Sequence, residues 1–561
     1  MTVRRLITLI LLSLAATTLA AQSGTNAPRT TETVTAETDQ DVNSPRALRL
    51  SLDEAMRLSM ERNLGIQVQR YESQMAGQSL RGQYGIFDWF GTATVRQAAA
   101  ENPTASTFQA SSSRSTTINA GVSQLLPTGG TYTIGFDNSR VSQAGGGTFI
   151  NPAFNTDLGA TFTQPLLRDF GLDVNRRGIT IARNTLGITD EAFRLGLMNT
   201  AVSVEQAYLD LIYSRRSVDV VKESLFLARD QARITQIRID VGASAPLDIL
   251  QPRVTIATSE EQLILAVARV RDAEDRLRAL LNLEPGEWDR PIIPTDPVEY
   301  TPLSVDAASA VAQALSLRPE LRQQNLATDT LRVQHLFARN QTLPTLDLAL
   351  GYNLSGLAGT TFAPDPITGQ PVVAARSNYF NALSQIGDRE SPQWNVGFNI
   401  GLPFTNIGAR AEERRAQLDL EQSRTSLAQL QQNITVEVRG AARDVETSAR
   451  TIAATRAARE AAEQNVQAER RRYENGMTTN FQVLEVQQQL SDARIRELQA
   501  LVGYLQAVSA YHRSVGDILQ VHNISVNAPP QPEEPRMFLP LDRYNWLNYG
   551  SRVKNLEEEP K

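Results

Sequence analysis

The residue types that most often carry chemistry are scarce in this chain of 561 residues. Cysteine is absent, and histidine occurs only at His335, His512 and His522. The lack of cysteine removes disulfides, thiolate metal sites, iron–sulfur clusters, cysteine nucleophiles and lipoprotein anchors together. None of the three histidines has a second ligand-type residue at a metal-site spacing. Carboxylates are plentiful, with 61 Asp and Glu, but they are interleaved with arginines. Lysine is confined to Lys222, Lys554 and Lys561. Interleaved charge of this kind marks solvated helix faces rather than a nucleic-acid footprint, so no nucleic-acid partner is expected. No Ser/His/Asp set, phosphate loop or metal cluster stands out. The expectation is no enzyme and no catalytic, cofactor-binding or metal site. With a formal net charge of only −6, the composition points to a large structural or transport object.

The elements that would build such an object begin after an address label. Residues 1–21 read as a secretory signal peptide: Arg4 and Arg5, an apolar run from Leu6 to Leu14, and small residues near Ala20. Residues 22–47 are polar and read as a disordered lead. No later stretch reaches the roughly 20 apolar residues of a spanning helix, so any membrane crossing must use β-strands. Ser51 with Glu54 three residues on is a capping-box signature, opening a helical pattern to about Gly82. Proline is absent between Pro165 and Pro246 and between Pro403 and Pro529, which is where long helices can form. From Gly408 to Gly476 a helix would run about 100 Å. Its stripe of Ile434, Val438, Ala441, Val445, Ala449, Ile452 and Ala453 demands a coiled-coil-like partner. A fibrous rod fits that segment equally well.

The chain also repeats itself. Asn199, Val202, Val204, Ala207 and Asp210 recur 234 residues later as Asn433, Val436, Val438, Ala441 and Asp444. Arg238, Gly242 and Leu250 recur at the same offset as Arg472, Gly476 and Leu484. The halves are residues 48–283 and 303–524, joined by a proline-rich linker at 284–302 and followed by a tail at 525–561. Within each half lie alternating runs of about nine to eleven residues: Tyr132 to Phe136, Leu158 to Phe162, Leu346 to Tyr352 and Trp394 to Leu402. An apolar face backed by small or polar residues is the pattern of a transmembrane strand. A soluble sandwich is the other reading, but small polar residues suit a wet lumen better than a dry core. Strands are expected at about 86–165 and 344–402, and helical hairpins at about 172–283 and 408–520. Residues 115–140, turning at Leu126-Pro127-Thr128-Gly129-Gly130, add what looks like a further hairpin and leave the strand count open.

Several junctions carry a family resemblance. Gln164-Pro165-Leu166-Leu167-Arg168-Asp169-Phe170-Gly171 and Leu402-Pro403-Phe404 look like strand-to-helix junctions. Val241-Gly242 leading to Leu247-Asp248-Ile249-Leu250, and Arg472-Tyr473-Glu474-Asn475-Gly476 leading to Phe481-Gln482-Val483-Leu484, look like hairpin turns. Over residues 48 to 524 the chain resembles the TolC-like outer-membrane efflux proteins. The resemblance implies a mixed α and β membrane protein of the bacterial outer membrane. It would be a homotrimer in which each chain lends four or more strands to a β-barrel, twelve in the family, continued by a helical periplasmic tunnel. It implies partners: outer-membrane lipid, a periplasmic adaptor, and an inner-membrane pump or ABC exporter. By position, Gln482 and Glu485 match the family's constriction acids, so three chains would present a ring of Glu485 carboxylates. Tyr473 and Asp248 match a gate-holding phenol–carboxylate pair, while Thr478 stands where relatives carry arginine. Arg238, Gly242, Arg472 and Gly476 mark the tips where an adaptor would dock. The rival readings are a periplasmic coiled-coil adaptor, which would have one hairpin, and a secreted scaffold without a pore.

Overall fold

The computed structural model describes residues 47–526 apart from 102, 104–109, 146–148 and 368–369. The expected signal peptide, nearly all of the lead, and the tail from 527 onward lie outside the described residues. The chain runs β1 (Leu48–Leu50), α1 (Leu52–Arg62), α2 (Leu64–Tyr84), β2 (Phe90–Glu101), β3 (Ala110–Leu125), β4 (Thr131–Gly145), β5 (Ile150–Pro165), α3 (Arg177–Asp240) and α4 (Leu250–Leu281). A similar order follows: β6 (Ile292–Pro294), α5 (Ala307–Leu317), α6 (Pro319–Gln341), β7 (Thr345–Pro364), β8 (Pro371–Arg376), α7 (Tyr379–Gly387), β9 (Pro392–Gly401), α8 (Ile407–Glu474) and α9 (Asn480–Val515).

The proline-free stretches form the two longest helices, α3 with 64 residues and α8 with 68. At 1.5 Å per residue they run about 95 and 100 Å. Each is flanked by two shorter helices. α3 packs against α2 on the sheet side and α4 beyond it; α8 packs against α6 and α9 in the same way. One asparagine manages the first of these breaks. Asn63 Oδ1 accepts from the amide of Ile66, capping α2, and its Nδ2 donates to the Leu280 carbonyl at the end of α4 (2.9 Å). The helical run expected through Gly82 is therefore interrupted at Asn63, whose extended ψ of 127° cannot continue α1. Arg318 does comparable work in the other half. Its buried guanidinium donates to the Ser514 carbonyl near the end of α9 and pairs with Glu320 and Glu437. On α8 the buried stripe is Ile434, Val438, Ala442, Val445 and Ile452. Ala442 takes the place expected for Ala441, and Ala453 is exposed, because each lies about 100° round the helix from its neighbour.

The segment expected to be a linker at 284–302 is part of the core. β6 pairs in parallel with β1, and Ile292 is fully buried among Met56, Leu211, Leu277 and Leu281. The Tyr208 hydroxyl lies 2.7 Å from the Asp296 carboxylate and 3.0 Å from the Leu50 carbonyl, tying α3 to both short strands. Burial, reinforced by that carboxylate, pushes the phenol well above its ordinary range.

The other seven strands form one antiparallel sheet in the order β2-β3-β4-β5-β7, with β9 and β8 sharing the far edge of β7. β9 pairs along Thr345 to Leu354 and β8 along Thr360 to Pro364. Between them α7 supplies the missing partners. The Gln385 carboxamide accepts from the Leu357 amide (2.8 Å) and donates to its carbonyl (3.2 Å), as a neighbouring strand would. The sheet is thus six strand positions wide, within the four or more expected. The expected hairpin is real: β3 and β4 flank the turn Leu126–Gly130. Gly129 has φ 93°, and a Cβ there would sit 2.3 Å from the Asp169 carbonyl, so this turn is tucked under the strand-to-helix junction. Apart from the short β8, strand lengths run from 10 to 20 residues. Most exceed the nine to eleven expected, because they continue beyond their apolar stretch.

Candidate functional site

Strand register sorts the sheet into two unlike faces. Trp394, Tyr352, Ala160, Ile134 and Val122 lie side by side across β9, β7, β5, β4 and β3. Val396, Leu350, Phe162 and Tyr132 form the adjacent row. The other face carries Asn395, Gly351, Thr161 and Thr133, then Asn353, Gly159, Gly135 and Gly121. On it Asp157 stands directly opposite Asp137, held by the Ser355 hydroxyl (2.6 Å). Like charges directly opposed repel, so this face needs water. The apolar face does not: Trp394 is 76% exposed and Val396 59%. An uncovered apolar surface of this extent marks a membrane or partner. A soluble sandwich would need a second sheet over it, and among the described residues no second sheet lies there. β2 and β9 each keep one edge unpaired among the described residues.

At the opposite end the two helical hairpins turn in the same way. Gly242 has φ 79° and Gly476 φ 74°. The Ala243 amide donates to the Arg238 carbonyl (2.7 Å), and the Met477 amide to the Arg472 carbonyl (2.9 Å). This is the left-handed glycine cap that closes a helix, and only glycine adopts it without strain. The two tips touch. The Arg238 guanidinium lies 4.3 Å from the centre of the Tyr473 ring and donates to the Glu474 carbonyl (3.3 Å). Gln231 donates to Asn480 Oδ1 (2.7 Å), and Asn480 donates to the Asp248 carbonyl (3.4 Å).

Of the residues expected at the gate, Gln482 and Glu485 share the exposed face of α9, one turn apart, and that face continues through Gln489, Asp492 and Arg496. Gln489 donates to Glu485 (3.2 Å). Val486 and Leu490, on the other side, pack against Val466 of α8. The expected Tyr473–Asp248 bond is not formed within the chain. The Asp248 carboxylate accepts from the amide of Ala245 and caps its own turn, because its short side chain reaches only that far. The buried Tyr473 hydroxyl has no hydrogen-bond partner, and the ring is covered by Arg238 instead. Arg472 pairs with Glu469 on its own helix (2.9 Å) rather than reaching the other tip. Sequence reasoning missed the exposed apolar residues around the tips: Ile237, Val241, Leu247, Leu250 and Val254 on one, Met477 and Phe481 on the other. Their signal was available as apolar residues flanking the two glycine turns.

Each histidine meets one carboxylate: His335 with Glu413, His512 with Asp517, His522 with Glu205. Among the described residues there is no group of three or more metal-ligating side chains, and no helix long and apolar enough to cross a membrane.

The sequence profile described as "Outer membrane efflux protein" matches residues 96–283 and 310–517. The chain is 25% identical over 328 residues to the outer membrane efflux protein BepC of Brucella suis, a match covering 58% of this chain and 65% of that protein. It is 24% identical over 326 residues to the pyoverdine export outer membrane protein OpmQ of Pseudomonas putida, covering 56% and 61%. The chain thus spans slightly less than two thirds of the length of these curated relatives. Among solved structures, the outer-membrane channel OprN superposes with a TM-score of 0.59 at 18% identity, covering 85% of this chain and 91% of that one. Profile matches in both halves, a shared fold, a sheet with one apolar and one wet face, and paired helical hairpins all agree: this chain belongs to the outer membrane efflux protein family.

Proposed function

We propose that this chain is the outer-membrane channel component of a tripartite efflux or type I secretion system, a passive conduit gated at its periplasmic end. One observation carries the reading: a sheet with an apolar outer face, a polar inner face and two open edges, joined to helices about 100 Å long. An open edge is untenable in lipid, so copies of the chain must close the sheet into a barrel. Three copies satisfy the family resemblance, and the recurring element order is read as an internal two-fold repeat. The polar face of α9 then lines a tunnel, with Gln482 and Glu485 at its narrow end and three Glu485 carboxylates favouring cations. The exposed apolar residues around Gly242 and Gly476, with Arg238 and Arg472, suit a periplasmic adaptor. That adaptor would link the channel to an inner-membrane pump or ABC exporter. A free-standing adaptor or scaffold gives the two-faced sheet no role.

Fractionation tests this reading. The chain is expected as a detergent-extracted outer-membrane homotrimer, and a soluble periplasmic pool would overturn it.

A further inference from the structure

We propose that all six strand positions of the sheet lie in the membrane, so that three chains close a barrel of eighteen strands rather than twelve. The inference rests on the trimeric channel reading above. Its warrant is where the apolar residues fall on successive strands. On the outward face they are Trp394, Val396, Phe398 and Ile400 of β9, then Leu346, Leu348, Leu350, Tyr352 and Leu354 of β7. They continue as Leu158, Ala160 and Phe162 of β5 and Tyr132, Ile134 and Phe136 of β4. Ile118, Ala120 and Val122 of β3 and Ala93 and Val95 of β2 complete the band.

The band does not follow the hydrogen-bonded rows. The row through Val396, Leu350, Phe162 and Tyr132 turns polar at Gln124 on β3. The row through Val95 and Ile118 turns polar at Asn138 and Thr156. From β9 to β2 the centre of the band climbs by about six residues, or about 20 Å at 3.4 Å per residue. Five strand spacings of about 4.8 Å cover about 24 Å, so a level belt requires strands tilted by about 40°. That is the tilt of a membrane barrel, about 35–45°. The shift accumulates in one direction, about three residues from β9 to β5, none from β5 to β4 and about three more from β4 to β2, so β3 and β2 continue the climb of the other strands. An added hairpin standing above the membrane or folded into the lumen would have no reason to keep it. The inward residues of the same two strands, Thr92, Thr94, Thr117, Asn119 and Gly121, keep the polar character of the wet face.

At that tilt and spacing twelve strands close at a backbone diameter of about 24 Å and eighteen at about 36 Å, about doubling the cross-section. The outer exit would then be far wider than the helical tips, leaving the periplasmic end as the only bottleneck.

The cysteine-free chain makes the test direct. Single cysteines at Val95 and Ile118 are compared with cysteines at Thr94 and Thr117 in protein reconstituted in lipid vesicles. The expected result is that a membrane-impermeant maleimide labels the first pair at least about tenfold more slowly than the second. Val396→Cys against Asn395→Cys on β9 serves as the internal reference. Protection at β9 without protection at β2 and β3 would overturn the eighteen-strand barrel and leave the channel reading intact. Loss of protection at β9 too would overturn both. In a second arm, Asn395→Cys is combined in turn with Thr92→Cys, Thr94→Cys or Arg96→Cys. Closure through the β9 and β2 edges yields disulfide-linked trimers on a non-reducing gel; monomers at every pairing would overturn it.

Discussion

Replacing Arg238 with alanine should loosen the contact between the two tips. The guanidinium sits 4.3 Å from the Tyr473 ring centre, and one N–H reaches the Glu474 carbonyl at 3.3 Å. A cation on an aromatic face contributes about 0.5–1 kcal/mol at exposed sites and about 2 when desolvated. Here the ring is buried while the arginine is half-buried, and the hydrogen bond is long and exposed. About 1–2 kcal/mol per chain follows, or about a 5- to 30-fold shift between closed and open tips for each chain. Open probability in planar bilayers reads this directly. Arg238→Lys should recover part of the effect, because an ammonium keeps the charge but not the planar stack. Tyr473→Phe keeps the ring and removes only a hydroxyl that has no partner within the chain, so it should gate like the parent. The opposite pattern, with Tyr473→Phe opening the channel and Arg238→Ala leaving it unchanged, would refute the reasoning and restore a phenol latch.

Further outcomes can be measured independently. Glu485→Gln should lower cation-over-anion selectivity in bilayers, since Gln482 beside it carries no charge to compensate; reversal potentials in a salt gradient check this. Val396→Arg should cost about 2–4 kcal/mol in urea unfolding from vesicles and Asn395→Arg close to nothing, because neighbours on a strand face opposite media. Asn63→Ala should destabilise by about 1–2 kcal/mol in thermal unfolding, losing the cap on α2 and the bond to the Leu280 carbonyl together. Burial raises the Glu320 carboxyl, but its bonds to Arg318 and its own backbone outweigh this and hold it below its ordinary range. That stability is present at neutral pH and is lost as pH falls through the depressed value, so Glu320→Gln should flatten the acid side of a Tm-versus-pH curve.

Reading by residue type and period went a long way. Missing cysteines, the proline-free stretches, the 234-residue offset and the alternating runs located both long helices, both glycine turns and most of the sheet. These features are local, and a single substitution or period declares them. Gln482 and Glu485 were singled out by the family resemblance, and the structure puts them on one exposed face of α9. The Tyr473–Asp248 pair was not legible, since it depended on which of two nearby groups each side chain would reach. Asp248 found its own turn, and Tyr473 found Arg238 across the tip. The proline-rich stretch at 284–302 likewise looked like a connector until Ile292 and Asp296 met α3.

What the sequence determined alone was the kind of object: two-faced in its strands and long in its helices. What only the tertiary structure decided was number and partnership. Six strand positions per chain, and a belt that climbs across them, depend on register. Register is set by pairing between segments as distant as Trp394 and Tyr352, or Phe162 and Leu350, and no local pattern encodes it.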